Sequence, residues 1–152
     1  YGVVTVGNIG SEKKMDYTII GDTVNLASRL QDLTKTYGTP FIISESLYRR
    51  VHEEVPCREL DKVAVKGKTQ GVKIYAPSWG VSEQEEKGWR LHHEALEGYY
   101  EGDFGSALDA FHEASAYLAE DPVIDLYIRR CQHFLHHPPQ ESWNGITVMG
   151  SK

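Results

Sequence analysis

An α+β fold with an all-α extension is predicted by three features of this sequence. β-Branched apolar runs separated by turn residues recur as far as residue 77, two helical patterns lie between them, and only helical patterns follow. A length of 152 residues suffices for one ordinary domain, or a small domain plus an appendage. With 40% hydrophobic and 25% charged residues the composition is that of a globular protein. No apolar run approaches the roughly 18 residues that span a bilayer, and no signal pattern opens the chain. Residues 1–80 hold 11 Lys/Arg against 9 Asp/Glu, a net of +2, whereas residues 81–152 hold 5 against 13, a net of −8; together these make the overall −6. That split predicts two units with different surfaces, and neither half has the basic stripe of a nucleic-acid partner.

The elements follow in order. "GVVTVGNI" and "DYTII" read as strands flanking the polar "GSEKK", so residues 2–20 form a hairpin with a protruding tip. Gly21 breaks the second strand, Asp22 suits an N-cap, and a helix runs to Tyr37 with Gly38 as its stop. "TPFIIS" is a short buried strand, Ser44 caps the helix "ESLYRRVHEE", and Pro56 ends it. "CRELDKVAVKG" and "GVKIYAPS" are two strands joined by "KGKTQ", which completes a mixed sheet with helices packed on it. Opening on "YGVVTVGN", in mid-strand, the chain reads as part of something longer.

Residues 80–88 are assigned to a linker, 89–137 to a helical region and 138–152 to a Pro/Trp-containing tail. Trp89, Leu96 and Tyr99 recur at helical spacing before the turn "GD"; Phe104, Ala107, Phe111, Ala114 and Leu118 then share one face of a second helix. "VIDLYIRRCQHFLHH" is a third helix, stopped by Pro138 and Pro139. The Ala107–Phe111–Ala114 spacing resembles the second helix of a tetratricopeptide repeat, although one and a half such units are too few for a solenoid. Trp143 is expected to dock on the helices or on the sheet domain, and the final "SK" fits a true C-terminus.

Within the first helix, Asn25 and Arg29 lie four residues apart, about 40° around the axis, beside the stripe Leu26, Leu30 and Leu33. Taken alone they fit a solvated Asn and an Arg paired with Asp32 or Asp22. His133 and His137 share a spacing that can hold a metal but have no acidic or Cys partner, so they read as surface residues. Arg129 and Arg130, preceded by Asp125, read as a solvated helix face, and Cys57 and Cys131 as two reduced thiols. "GNIGS" lacks the spacing and helix context of a phosphate loop.

A longer pattern shifts the balance. "VGNIGSEKKMDYTIIGDTVNLASRL" followed by "VAVKGK" resembles, almost position by position, the C-terminal half of class III adenylate/guanylate cyclase catalytic domains, over residues 2 to about 77. The resemblance implies that residues 1–79 are the later part of a ferredoxin-like cyclase domain, whose hairpin is a dimerisation arm. It implies conversion of ATP to cyclic AMP and pyrophosphate. Arg29 would face the reacting phosphate, Asn25 the ribose, and Lys66, or else Lys68, the terminal phosphates. Thr18 falls at the purine-reading position, where threonine resembles a bacterial adenylyl cyclase subgroup; a hydroxyl both donates and accepts, so GTP stays open. Plain alternatives are a solvated lysine at 66 or 68 and an ordinary strand residue at 18.

The same resemblance implies two Mg2+ or Mn2+ ions held by aspartates that precede this segment, and a homodimer whose sites draw on both protomers. Asp16 and Asp22 are not reassigned as their ligands. This chain alone is therefore predicted to be inactive. The Pro-Pro, Trp and Asn-Gly tail also resembles the end that follows many bacterial cyclase domains of this type. The competing expectation is a non-catalytic module whose helical tail binds a protein partner. A cytoplasmic location is expected, with an upstream membrane anchor left open.

Overall fold

The computed structural model describes residues 2–11, 14–65, 70–139 and 142–149. Strands β1 (Thr5–Ser11) and β2 (Lys14–Ile20) pair antiparallel from Thr5↔Ile20 to Ser11↔Lys14, which is the hairpin predicted from the two β-branched runs. Among the described residues it shares no strand ladder with the other strands. Among the described residues the strands therefore form two sheets.

Helix α1 (Asp22–Tyr37) follows at once. Its start corrects the prediction for Asp22. The N-cap is Gly21, without a side-chain cap bond; its carbonyl accepts the amides of Val24 and Asn25, both at 3.1 Å. Asp22 sits one residue further in, where its charge favours the positive helix end. Glycine suits position 21 because a Cβ there would lie 3.2 Å from the Val3 carbonyl oxygen. At the other end Gly38 is left-handed, φ 60°, and its amide bonds the Thr34 carbonyl, as the stop signal predicted.

Strand β3 (Ile43–Ser44) leads into helix α2 (Glu45–Val51). Ser44 is the N-cap by position, but its hydroxyl pairs with that of Ser46 at 2.9 Å instead of bonding a helix amide. Strands β4 (Cys57–Val65) and β5 (Val72–Pro77) pair antiparallel, and β5 also pairs with β3. The last strand, β6 (Thr147–Met149), runs parallel to β4 from Val63↔Thr147 to Val65↔Met149, giving the mixed order β3-β5-β4-β6. A bulge between Glu59 and Asp61 sets Leu60 out of register; residues 58–61 are consecutively buried.

Three helices complete the chain: α3 (Glu83–Glu101), α4 (Phe104–Ser115) and α5 (Pro122–His136). α3 begins inside the stretch assigned to a linker. A capping box accounts for this, with the Ser82 hydroxyl accepting the Glu85 amide and the Glu85 carboxylate accepting the Ser82 amide at 2.8 Å. Asp103 and Asp121 cap α4 and α5, and Pro122 occupies the first position of α5, where its missing N–H costs nothing.

One apolar core runs from Leu30, Tyr37 and Ile42 through Leu60, Val63 and Ile74 into Leu96, Tyr99, Phe111 and Tyr127. Trp143 docks on this helical side as predicted: its indole N–H donates to the Tyr99 carbonyl at 3.1 Å, and its ring meets Phe104 and Phe134 edge-on. Among the described residues no helix is long and apolar enough to cross a membrane.

Candidate active site

The backbone between β2 and α1 sets the geometry of the candidate residues. Thr18 lies on β2 opposite Gly7, exposed, three residues before the Gly21 turn. Asn25 sits in the first turn of α1 and is exposed; Arg29, one turn later, is half-buried. Leu30 turns into the core at 6% exposure, and Leu26 and Leu33 pack partly against it. The aliphatic stripe thus faces inward while the amide and guanidinium stay beside it, accessible from outside. This disposition suits a planar, permanently charged donor fork next to a neutral hydrogen-bonding group.

Lys66 and Lys68 lie outside the described residues. The two grooves along α1 do not include the candidate set. One, of about 310 Å³, is lined by Leu26, Ala27, Leu30, Phe41, Ile42 and Leu47 among others; the other, of about 180 Å³, lies between the start of α1 and Val63, Val72 and Met149. Thr18, Asn25 and Arg29 line neither groove.

The described residues do not fit a divalent-metal centre. No group of three or more His, Cys, Asp or Glu side chains is placed to hold an ion. His133 and His137 stack ring on ring at 4.9 Å on the exposed face of α5, without a third ligand. Both cysteines are free, and burial pushes the Cys131 thiol up to about 12, which keeps it protonated and unreactive.

A second polar assembly escaped the spacing arguments. Asp61 on β4 is fully buried, and its Oδ2 accepts both the Tyr37 hydroxyl at 2.6 Å and Arg130 Nη1 at 2.7 Å. Its Oδ1 accepts the Lys62 amide at 2.7 Å. Arg130 is therefore no member of a solvated face; its guanidinium also lies 5.0 Å over the Tyr127 ring. Burial, and then the Asp61 charge, push the Tyr37 pKa up, so the phenol remains a donor. Nearby, Arg58 grips Asp121 through Nη1 at 2.5 Å and Nη2 at 3.1 Å.

His92 is the other surprise. It is fully buried, with Nε2–H donating to the Glu59 carbonyl at 2.9 Å and Nδ1 without a partner. Burial, with Arg58 adding to it, lowers its pKa well below the usual 6.5, so the ring is neutral. Glu59 itself accepts from Tyr100 at 3.1 Å and Lys73 at 3.0 Å. Apolar periodicity signals burial but not partners, and these partners stand tens of residues apart in sequence.

Comparison with known proteins bears on this geometry. Residues 1–78 match the family model described as the adenylate and guanylate cyclase catalytic domain. An adenylate cyclase of Anabaena cylindrica is 44% identical over 77 residues, covering 49% of this chain and 15% of that protein. The terminal-differentiation specific adenylate cyclase of Dictyostelium discoideum is 30% identical over 137 residues, covering 86% of this chain and 6% of that protein, so its likeness extends into the helical region. The chain thus spans less than a sixth of either relative. The crystal structure of the adenylyl cyclase CyaB from P. aeruginosa shares 39% identity at a TM-score of 0.41, covering 51% of this chain and 38% of that one. With half of its residues matched from β1 through β5, and Thr18, Asn25 and Arg29 inside the match, the chain belongs to the adenylate and guanylate cyclase catalytic domain family.

Proposed function

We propose that this chain supplies the ribose- and phosphate-facing side of an adenylate cyclase site that converts ATP to cyclic AMP and pyrophosphate. In this reaction the 3′-oxygen of ATP bonds to its own α-phosphorus, the bond to the bridging α–β oxygen breaks, and the 3′-hydroxyl proton leaves. Negative charge grows on the α-phosphoryl oxygens and on the departing pyrophosphate. Arg29 meets that charge with a fixed cation. Asn25 holds the ribose so that the 3′-oxygen stands near the phosphorus. Thr18 reads the purine edge, and Lys66, or Lys68 in its stead, neutralises the terminal phosphates. Mg2+ or Mn2+ would be held by aspartates outside this chain, and a second protomer would complete the site.

One observation carries this reading. α1 holds Leu30 inward and leaves Asn25 and Arg29 accessible one turn apart, directly after the strand that presents Thr18. A surface outside both neighbouring grooves suits a half-site that is closed by another subunit.

The test uses the longer protein containing this chain, supplied with ATP or GTP and Mn2+. Arg29→Ala should lower cyclic AMP turnover by about 10²–10³-fold with a much smaller change in KM. Equal losses in both parameters, or no loss, would remove Arg29 from the transition state. Preference for GTP would convert the reading to a guanylate cyclase. This chain alone should yield no cyclic AMP above a buffer control, and detectable product would refute the half-site.

A further inference from the structure

We propose that Arg130 is a positioning residue: through Asp61 and Tyr37 it latches α5 of the helical region onto the C-terminal end of α1, the helix that carries Asn25 and Arg29. Its consequence for turnover rests on the cyclase reading above, whereas the latch itself does not.

Among the described residues the elements that pack most against α1 are β2 and α5, and β2 belongs to a hairpin that no other described strand joins. Its leucines join the core, and its C-terminal end meets the helical region. Tyr37, 1% exposed, is the last residue of α1, and its hydroxyl shares the Asp61 oxygen with Arg130. Directly after it, left-handed Gly38 abuts Pro122, and a Cβ at 38 would collide with that ring. The start of α5 is in turn pinned to β4 by the paired bonds of Arg58 to Asp121, the residue that caps α5. Further along, the Tyr127 hydroxyl donates to the Leu60 carbonyl at 2.9 Å. α5 is thus fixed to β4 at both levels, and α1 is fixed to α5 and β4 together.

The choice of groups points to geometry rather than net stability. A buried charged pair adds little over apolar packing of the same volume. What Asp61 adds is direction, because a rotation or tilt of α1 breaks its bond to Tyr37. Asn25 lies twelve residues before Tyr37, or about 18 Å along the axis, so a tilt of about 5° would move it by about 1.5 Å. A misplacement of about 1 Å at reacting groups can lower a rate about a hundredfold.

The experiment uses the longer protein with two variants: Tyr37→Phe, which removes only the shared hydroxyl, and the double substitution Asp61→Asn with Arg130→Met, which removes both charges at once and avoids an unpaired buried ion. Amide hydrogen exchange should quicken in α1 and stay within about twofold of wild type in α3 and α4. Turnover of ATP with Mn2+ should fall about tenfold or more. Introduced into protein that already carries Asn25→Ala and Arg29→Ala, the same substitutions should cost no more than about threefold, because the displaced groups are already gone. Unchanged or uniformly quickened exchange would overturn the latch. A full tenfold loss in the background lacking both Asn25 and Arg29, or wild-type turnover despite quickened exchange in α1, would overturn the positioning role. If wild-type protein makes no cyclic nucleotide, the cyclase reading falls, and the exchange result still decides the latch.

Discussion

The β1–β2 hairpin and the helical region around β4 place their apolar residues in opposite ways. In the hairpin, Val6 and Ile19 face each other across the ladder, yet they remain 50% and 51% exposed. Around β4, by contrast, Leu96, Phe111, Tyr127 and Cys131 are sealed from solvent, and even Asp61 and His92 are buried with them. A two-stranded hairpin by itself is marginal in water, whereas a close-packed core fixes its side chains. The chain's rigidity therefore lies on the helical side, and α1 bridges the two regimes: its leucines join the core while Asn25 faces out. The exposed side is open to cover by the rest of a longer domain or, on the proposed half-site reading, by a second protomer.

This contrast can be broken or sharpened by substitution. The largest effect is expected at Phe111, which stacks on Tyr127 with ring centroids at 4.9 Å. Phe111→Ala should cost about 3–5 kcal/mol of stability in urea unfolding; a loss below about 1 kcal/mol would mean that the helical core is loosely packed. Next comes pH. The depressed pKa of His92 means that the unfolded chain takes up a proton near pH 6.5 while the folded chain does not. Stability from this group is complete above that pH and is lost as pH falls, at up to about 1.4 kcal/mol per pH unit for one proton. The urea midpoint should therefore drop between pH 7 and 5, and His92→Gln should flatten that stretch of the profile. A wild-type midpoint that rises on acidification would contradict the buried neutral ring. The smallest effect belongs to the hairpin. Ile19→Thr should change the stability of this chain by less than about 0.5 kcal/mol; in the longer protein, sedimentation should show weaker self-association if the exposed pair meets a partner.

Much of the local structure was legible. The bounds of α1 followed from Gly21, Gly38 and the leucine stripe, and the hairpin and three later helices followed from their periods. Errors arose where two signals competed. "SEQE" reads as linker, although a Ser followed three residues later by Glu is a helix-start signal, and the structure begins α3 there. Asp22 reads as the N-cap, whereas Gly21 supplies the cap through its carbonyl and Asp22 is the first helical residue. The candidate site residues Thr18, Asn25 and Arg29 stand out only through a motif, since their individual chemistry fits a solvated surface equally well.

The sequence by itself determined which segments become strand or helix, where the turns fall, and the order of Thr18, Asn25 and Arg29, because these depend on φ/ψ preferences and on periods of two and 3.6 residues. Only the tertiary structure decided that β6 returns to the edge of β4, that the helices share one core with the sheet, and that Arg130 meets Asp61 across 69 positions. Those outcomes depend on which surfaces exclude water together, and a buried charge finds its partner through that packing rather than through proximity along the chain.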